Sequence, residues 1–464
     1  MIQDPNKHTE DFRIEHDSLG EVRVPRDVLY GAQTQRALQN FPISPLQFPR
    51  CFVMALGWIK AAAANANGQL NELPAETANA IERAAWEVAG GDYDSQFVVD
   101  VFQSGSGTST NMNANEVIAH LAAQSLGRAV HPNDEVNRNQ SSNDVIPTAI
   151  HVSALHQLQN VLVPALQTLR DGLNSKAVKF HDVVKMGRTH LQDAVPMRLG
   201  QEFSGYGAQV DSAIRRLQAA GEEMRELALG GTAVGTGINA PKEFARLAVA
   251  EIAKISSIPF REAANHFEAQ ASMDRAGMLS GALRNCAITL MKIANDIRLM
   301  ASGPRSGLGE LILPAVQPGS SIMPGKVNPV IAESLLMACA QVIGHDAAIS
   351  WCCASGVLEL NLMLPLLAYN LLDSISLLTA ASINFHDRCL QGIEVDRERI
   401  TGYAERSLAN ATALVPVLGY DLAAKIAQEA HRTGRNVREV AAELTDLTEN
   451  QLNHLLNPAR LVGD

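Results

Sequence analysis

The amino-acid sequence predicts an all-α fold built around long helices. Apolar residues recur mostly at steps of three and four, the period of one helix face, over six long stretches. These stretches cover about 147–180, 198–228, 242–256, 270–301, 330–354 and 357–388. Alanine and leucine, which favour helix, are plentiful. Such long helices cannot bury their apolar faces alone, and several are apolar nearly all round, so we expect a bundle that extends across subunits.

Shorter predicted helices flank the long ones. Tyr30–Arg36 opens a helix, and two more follow near 53–67 and from about Pro74 to Val88. Another is predicted near 112–126, and short charged helices follow Gly392. The predicted domains are an N-terminal, mostly helical domain at 1–138, a central helical bundle at 139–395 and a small C-terminal helical domain at 396–464.

Charge and cysteine content narrow the classes of function. The 464 residues carry a formal net charge of −11 at pH 7, which argues against nucleic-acid or anionic-membrane partners. The six cysteines lack Cys-x-x-Cys spacing, and we expect reduced thiols in a cytoplasmic protein. Met1–Lys7 lacks the apolar core of a signal peptide. Asp346, Glu359 and Asp373 interrupt the most apolar region, so we expect no membrane span.

One loop is predicted to carry the main anion site. Gly319–Pro329 contains two glycines, two prolines, two serines and a lysine, which exclude a long helix or a central strand. A helix begins directly after it, with Pro329 well placed as its first residue. Loop N–H groups, a helix N-terminus and Lys326 together favour an anion. The alternative is a rigid connector between two helices.

Further polar loops interrupt the helical pattern. Gln103–Glu116 alternates glycine with small hydroxyl residues and runs into a helix, so it is either a second anion cradle or a flexible connector. Asn139–Asp144 is dense in donors and acceptors, and 187–196 is predicted as a loop. Leu229–Asn239 superficially matches a dinucleotide fingerprint, which we reject because no strand is predicted before it and no βαβ unit around it.

Taken together, these loops predict a composite site for a small polycarboxylate, with Lys326, Arg188 and His190 as candidate cations or acid/bases. His190 is the natural general acid/base, because imidazole changes charge near neutral pH. Glu333, a lone carboxylate on an apolar helix, could orient it. The sequence lacks a nucleotide-binding loop and metal-ligand spacing, so we expect neither a nucleotide nor a metal.

The loop Gly319–Pro329 resembles the signature of the fumarase/aspartase superfamily, Gly-Ser-Ser-x-Met-Pro-x-Lys-x-Asn, and the resemblance covers nearly the whole chain. Ser104–Thr108, Ser141–Asp144 and Gly230–Thr232 are similar to class II fumarases rather than aspartases. Asp193–Met197 resembles both groups equally. Trp351–Cys353 replaces residues that are usually small, and Ala129 replaces a frequent lysine; both are departures from the family pattern. These departures leave the choice of substrate within the superfamily open.

The resemblance implies a fold, a reaction and roles for individual residues. The fold is a three-domain one whose central helices form the core of a homotetramer, with each active site shared by three chains and with no cofactor. The reaction is the reversible hydration of fumarate to (S)-malate through an aci-carboxylate intermediate. Ser320 would be the base at C3, Lys326 and Asn328 would hold the intermediate, and His190 paired with Glu333 would handle water.

The resemblance also implies two groups of binding residues. The substrate carboxylates would be bound by Ser106, Gly107, Thr108, Ser141, Ser142, Asn143, Thr189, Ser321, Lys326, Val327 and Asn328. A second, outlying anion site would consist of Arg128, His131, Pro132, Asn133 and Asp134. Two alternatives remain: an aspartate ammonia-lyase with the same carbanion chemistry, and a non-catalytic helical scaffold on a lyase fold.

Overall fold

Residues 11–462 are described by the structure, which is a computed structural model. The signal-peptide interpretation rests on Met1–Lys7 and lies outside the described residues. Contacts divide the chain into two compact units. Unit 1 comprises Met1–Pro164, Arg215–Ala287 and Ala340–Thr379, and unit 2 comprises Ala165–Ile214, Ile288–Cys339 and Ala380–Asp464. The three-domain boundaries given above stay a prediction.

The all-α prediction is confirmed. The α-helices of the described residues are α1 Ala32–Asn40, α2 Arg50–Gln69, α3 Ala75–Gly90, α4 Thr108–Leu126, α5 Ser142–Gln157, α6 Val163–Lys179, α7 Leu199–Glu223, α8 Phe244–Ser256, α9 His266–Ala271, α10 Asp274–Met300, α11 Val330–Cys353, α12 Leu364–Arg388, α13 Arg397–Arg406, α14 Val415–Leu418, α15 Tyr420–Thr433, α16 Val437–Leu444 and α17 Glu449–Leu455. Short 3₁₀ and π turns lie at Asp94–Gln96, Pro132–Val136, Leu158–Leu162, Leu390–Gly392, Leu408–Leu414 and Pro458–Arg460.

Strands are short and occur in pairs. They are β1 Phe12–Asp17, β2 Gly20–Pro25, β3 Val184–Thr189, β4 Gln192–Arg198, β5 Glu226–Leu227, β6 Arg261–Glu262, β7 Leu311–Ile312, β8 Gly356–Val357, β9 Leu360–Asn361 and β10 Glu394–Val395. The pairs β1–β2, β3–β4, β7–β10 and β8–β9 are antiparallel, whereas β5 and β6 are parallel. Within residues 11–462 these strands fasten loops and build no large sheet.

Two helix boundaries differ from the prediction. The stretch predicted as helical over 147–180 is divided by a π turn at Leu158–Leu162, which leaves Pro164 as the second residue of α6. A proline there removes no hydrogen bond from the helix interior, so the break falls before it. The helix predicted from 357 begins instead at Leu364, because Gly356–Asn361 folds back as the β8–β9 pair.

The segment 187–196, predicted as a loop, is a β-hairpin. Strands β3 and β4 are joined by the two residues His190 and Leu191, whose φ angles are 55° and 58°. Two successive residues with positive φ form the turn whose twist matches a two-residue hairpin. The register shifts between Met186 and Arg188, and a Cβ on Gly187 would lie 2.9 Å from the Val195 carbonyl oxygen. This bulge interrupts the strand alternation, so the sequence pattern does not predict the hairpin.

Each unit has its own buried apolar side chains. In unit 1, α2 and α3 approach so closely that a Cβ on Gly57 would lie 2.7 Å from the Ala89 backbone nitrogen. The alanines of α2 permit this spacing. In unit 2, the helices that follow residue 408 enclose a separate apolar cluster that includes Leu414, Ile426 and Val440, each at 0% exposure. That cluster is the core of the predicted C-terminal segment.

Two helices of the described residues are long and apolar enough to cross a membrane by length and composition. They are Val330–Cys353 and Leu364–Gly392, and 39% and 56% of their apolar windows are buried within the chain. Glu333 and Asp346 interrupt the first helix and Asp373 interrupts the second, so neither contains 18 consecutive residues without a charge. The expectation that the chain has no membrane span stays a prediction. Asp346 on α11 accepts hydrogen bonds from Ser280 and Arg284, each at 2.7 Å, on the first half of α10. This charged contact suits a helix packed against protein.

Candidate functional site

The loop Gly319–Pro329 of unit 2 is closed at its base by hydrogen bonds between its own ends. The Gly319 N–H donates to the Lys326 carbonyl at 2.8 Å, and the Asn328 side-chain amide donates to the Gly319 carbonyl, also at 2.8 Å. A Cβ at Gly319 would lie 2.6 Å from the Lys326 carbonyl oxygen, so a side chain there would force this closure apart. The loop is thus an ordered structure, as predicted.

Ser320 occupies the donor-rich start of this loop. Its Oγ accepts hydrogen bonds from the backbone N–H groups of Ile322 at 3.2 Å and Met323 at 3.1 Å. Hydrogen bonds donated to an oxygen favour its negatively charged form. The local geometry therefore supports the deprotonation of this hydroxyl, which a serine needs in order to act as a base.

The exposed part of the loop carries an unpaired cation. Lys326 is exposed, and its ammonium has no acidic side chain within 4 Å among residues 11–462. Ser321 and Val327 are exposed beside it, and Asn328 is half-buried because its amide closes the base. A lysine without a carboxylate partner, next to free loop N–H groups, presents a positive surface to an anion.

His190 and Glu333, predicted to pair, make no hydrogen bond or ion pair with each other in the described part of unit 2. His190 and Thr189 are exposed at the tip of the β3–β4 hairpin, and Glu333 is half-buried in the first turn of α11. The rigid two-residue turn holds the imidazole out at the hairpin tip. Pairing of His190 with a Glu333 stays a prediction for the assembled protein.

A buried ion cluster anchors this hairpin, and the sequence analysis missed it. Glu310, at 0% exposure, pairs with Arg188 at 2.7 Å and with Lys185 at 3.0 Å. Lys185 also pairs with Glu202 at 2.7 Å. Arg188 lies 5.7 Å from the Tyr403 ring centre. Arg188 was predicted as a candidate cation or acid/base; in the structure its charge is matched by Glu310, and the pair holds the hairpin.

Ser104–Thr108 of unit 1 is a tight loop that glycines make possible. The Gly105 carbonyl accepts from the Leu364 N–H at 3.0 Å, and a Cβ on Gly105 would lie 1.9 Å from the Leu362 carbonyl oxygen. Gly107 has φ of 76°, and its Cβ would lie 3.0 Å from Ile146 on α5. The hydroxyls of Ser106 and Thr108 are 2.9 Å apart. This loop starts α4 at Thr108, four residues earlier than predicted.

Ser141–Asn143 forms the N-terminus of α5 beside that loop. Ser141 caps the helix, since its Oγ accepts from the Asn143 N–H at 3.2 Å and its own N–H donates to Asp144 at 2.9 Å. The Asn143 amide donates to the Ala233 carbonyl at 2.8 Å. The buried Ser142 accepts from the Asn111 side chain at 3.2 Å. The structure thus brings two of the predicted carboxylate-binding segments together within unit 1.

The side chain of Asp144 binds the backbone of the glycine-rich loop Leu229–Asn239. One carboxylate oxygen accepts from the N–H groups of Gly230 at 3.0 Å and Thr232 at 2.9 Å. Burial raises the pKa of Asp144 to about 6. The statements that no strand precedes this loop and that no βαβ unit surrounds it were both wrong, because β5 precedes the loop, α8 follows it and β6 pairs in parallel with β5. The dinucleotide interpretation still fails, since Asp144 occupies the N–H groups that a phosphate would need.

The proposed second anion site is formed by Arg128 and the turn that follows it. Arg128 pairs with Glu135 at 2.9 Å and donates to Thr77 at 2.6 Å. The Nδ1 atom of His131 accepts from the N–H groups of Asn133 at 3.3 Å and Asp134 at 3.0 Å. Pro132 begins the π turn that presents these N–H groups. The guanidinium of Arg128 and the N–H groups of Asn133 and Asp134, which were expected to bind an anion, therefore already have partners within the chain.

A buried lysine, Lys60, lies beneath the unit 1 segments and was also missed. Its ammonium, at 0% exposure, donates to Asn137 at 2.9 Å and Gln140 at 3.0 Å. Burial lowers the pKa of Lys60 to about 7. The sequence signal was available: Lys60 interrupts the apolar run Leu56–Ala64 on the face that α2 buries.

The cysteines and acids of the described residues do not form a second chemical centre. The six cysteines form no disulfide bond among the described residues, and burial raises the pKa of Cys339 and Cys389 to about 12. Thiols with raised pKa are poor nucleophiles. Within residues 11–462, no group of three or more His, Cys, Asp or Glu side chains is arranged to hold a metal ion.

Comparison with known proteins identifies the family. A family model described as Lyase matches residues 20–344, and one described as Fumarase C C-terminus matches residues 411–463. The chain is 51% identical to the class II fumarate hydratase of Ralstonia nicotianae over 97% of this chain and 99% of the relative. It is 53% identical to that of Halobacterium salinarum over 97% of both chains.

A solved structure agrees with these relatives. The crystal structure of recombinant class II fumarase from Schistosoma mansoni matches with a TM-score of 0.93 and 40% identity, covering 96% of this chain and 98% of that one. This chain therefore matches class II fumarases in both sequence and fold over almost its whole length. The chain belongs to the class II fumarate hydratase family of lyases.

Proposed function

We propose that this chain catalyses the reversible hydration of fumarate to (S)-malate. The observation that carries the proposal is the loop Gly319–Pro329, in which backbone N–H groups surround the Ser320 hydroxyl and Lys326 has no acidic partner among the described residues. Fumarate hydratases are also the curated relatives at about half identity over nearly the full length. The substrate is a dianion, which suits a local positive loop in a protein of net charge −11.

The difficult step is removal of a proton from C3 of malate. Ser320, as an alkoxide, takes this proton, and the electron pair left behind delocalises into the neighbouring carboxylate to give an aci-carboxylate. This extra negative charge is costly unless donors are already in place. Lys326 is the cation that faces it, and Asn328, fixed at the loop base, supplies an amide donor. Ser321 and Val327 extend the same donor surface.

The second step expels the C2 hydroxyl as water. His190 protonates the leaving hydroxyl, and in the reverse direction it activates water. Its imidazole needs an orienting carboxylate, and Glu333 is the acid assigned to it. Because the two make no contact within one described chain, we place the pair between subunits.

The substrate carboxylates are assigned to the helix-start segments. Ser106, Gly107 and Thr108 offer hydroxyls and an N–H group at the start of α4, and 141–143 offers the N-terminus of α5. Helix N-termini attract anions through their free N–H groups and the helix dipole. Thr189, next to His190, completes the set. The second anion site at Arg128 and 131–134 binds an anion only if that anion competes with Glu135.

The assembly is proposed to be a homotetramer whose sites each combine three chains. Helices α11 and α12 are apolar, yet α11 exposes Met337 at 68% and Trp351 at 75% in the single chain. Apolar helix faces left open in this way need a partner surface. A second copy of the same helices supplies one. We place the protein in the cytoplasm, which suits six cysteines that form no disulfide bond among the described residues.

The direct test follows fumarate by its ultraviolet absorbance. The purified protein should consume fumarate in buffer without ammonium, and malate should appear in equal amount. Consumption that requires ammonium, with aspartate as product, would assign the ammonia-lyase reaction instead. No turnover of fumarate, malate or aspartate would leave the non-catalytic scaffold as the better interpretation.

Two variants test the assigned chemistry. Ser320→Ala and His190→Asn should each lower kcat by about 10²–10⁴-fold, the usual contribution of a positioned acid or base. The tetramer measured by light scattering should survive both changes, because Ser320 and His190 lie outside the apolar faces of α11 and α12 that are proposed to join the subunits. Dissociation of the tetramer together with the loss of activity would indicate a structural role.

A further inference from the structure

A buried polar network in unit 1 joins helix α2 to the proposed carboxylate-binding segments. Lys60 donates to Asn137 and Gln140, and Gln140 directly precedes Ser141. Further along α2, the Asn67 amide donates to the Arg138 carbonyl at 3.0 Å, and its side-chain oxygen accepts from Asn139 at 2.7 Å. The segment 137–140 is therefore fixed on α2 at both ends.

The same network reaches both binding segments. The Asn111 amide, on α4, donates to Asn137 at 3.2 Å and to the Ser142 hydroxyl at 3.2 Å. Asn111 lies one turn after the loop that holds Ser106 and Thr108. Lys60 therefore bonds directly to Asn137, which contacts Asn111 on α4, and to Gln140, which precedes Ser141. Its ammonium is the charged group in this hydrogen-bond network.

Charge placement adds to the geometry. The buried Asp144 is the acidic side chain that acts electrostatically on Lys60, yet its oxygens are occupied by N–H groups of Ser141, Gly230 and Thr232. When protonated, Lys60 therefore places a positive charge beneath the N-terminus of α5, where a substrate carboxylate is assigned. A buried charge is screened less by water than an exposed one, so it acts on the site at longer range.

We propose that Lys60 is a positioning residue for substrate binding: it holds 137–140, and through Asn137 and Asn111 it sets the relative placement of the Ser106–Thr108 and Ser141–Asn143 segments. This inference rests on the function proposed above. Lys60 touches no reacting atom, so its effect falls on affinity for the dicarboxylate rather than on proton transfer. If Lys60 were only a core residue, its removal would not weaken dicarboxylate binding while leaving kcat nearly unchanged.

The test is Lys60→Met, which keeps the length and removes the ammonium. KM for fumarate and the dissociation constant of succinate, an unreactive dicarboxylate, should each rise at least tenfold, while kcat changes less than threefold. Lys176→Met is the matched control. Lys176 is also buried, and it bonds to the carbonyls of Gln391 and Ile393, in unit 2. Its removal should leave both constants unchanged.

Three outcomes decide the proposal. A rise in KM and in the succinate constant for Lys60→Met alone supports it. Unchanged constants, or a fall in kcat at constant KM as expected for a partly unfolded sample, overturn it. If Lys60→Met does not fold, Asn111→Ala cuts the same network and must raise both constants, or the proposal fails. Succinate titration needs no turnover, so it decides this question even if the wild type does not hydrate fumarate.

Discussion

The stability of Lys60→Met should depend on pH differently from that of the wild type. Burial is the main cause that lowers the pKa of Lys60 from its ordinary 10.5 to about 7 in the folded chain, and Asp144 opposes it. Between these two values the unfolded chain binds a proton that the folded chain does not. Wild-type stability therefore rises with pH through this window, relative to a variant that cannot titrate at position 60.

The size of the pKa change of Lys60 determines how much the stability difference between the two proteins varies with pH. A shift of this size corresponds to about 5 kcal/mol of cost for the buried charge, present in full below pH 7 and absent above pH 10.5. Removing the ammonium leaves the Gln140 side-chain oxygen without its donor, which costs about 1–3 kcal/mol. Lys60→Met should therefore be at least as stable as the wild type at pH 7. Its advantage should shrink by about 2 kcal/mol between pH 7 and pH 9.

Denaturant unfolding of both proteins from pH 6 to pH 9.5 measures this difference. Protein concentration must be equal throughout, because the stability of an oligomer depends on it. Lys254→Met is the control, since Lys254 is exposed and pairs with Glu251 at 3.1 Å. Its curve should run parallel to that of the wild type. A parallel curve for Lys60→Met would refute the argument, because it would mean that Lys60 titrates in the folded chain as it does in water.

Two further substitutions test the local geometry. Gly107→Ala places a Cβ at φ of 76° and 3.0 Å from Ile146, which should cost about 1–2 kcal/mol by thermal unfolding and raise KM; unchanged KM would separate this loop from substrate binding. Lys185→Met leaves the buried Glu310 with one cation fewer, so the free energy of unfolding in denaturant should fall by about 3–5 kcal/mol. The control Lys179→Met removes an exposed ion pair with Glu394 and should lower it by under about 1 kcal/mol. Equal losses for the two variants would contradict the role given to the buried cluster.

The helices could be predicted because their signals are local. A three-to-four residue period that persists over twenty or more residues is typical of a helix with one buried face, and Pro74 and Gly90-Gly91 mark the ends of α3. The β3–β4 hairpin could not be predicted in the same way. Its turn uses His190 and Leu191 in a backbone region that these residues seldom adopt, and a bulge at Gly187 breaks the alternation.

Ser320, Lys326 and Asn328 could be proposed as catalytic residues because they lie in a long, specific signature, whereas the buried charges that support neighbouring segments could not be identified from the sequence. Glu310 and Lys60 are supports of this kind: each acts through residues far away in sequence, and each looks in sequence like an isolated charge in an apolar stretch. The ion pair of Arg188 could not be predicted for the same reason, since its partner Glu310 lies more than a hundred residues away.

The measurement that tests the central claim most directly is complementation between two inactive variants. Asn143→Asp puts a negative charge in a proposed carboxylate-binding segment, and Ser320→Ala removes the proposed base. If each site draws these residues from different chains, mixed tetramers made by joint refolding should regain about a quarter of the wild-type sites, since half of the chains supply each intact segment. Mixtures as inactive as the separate variants would show that one chain supplies both, which would contradict the shared site.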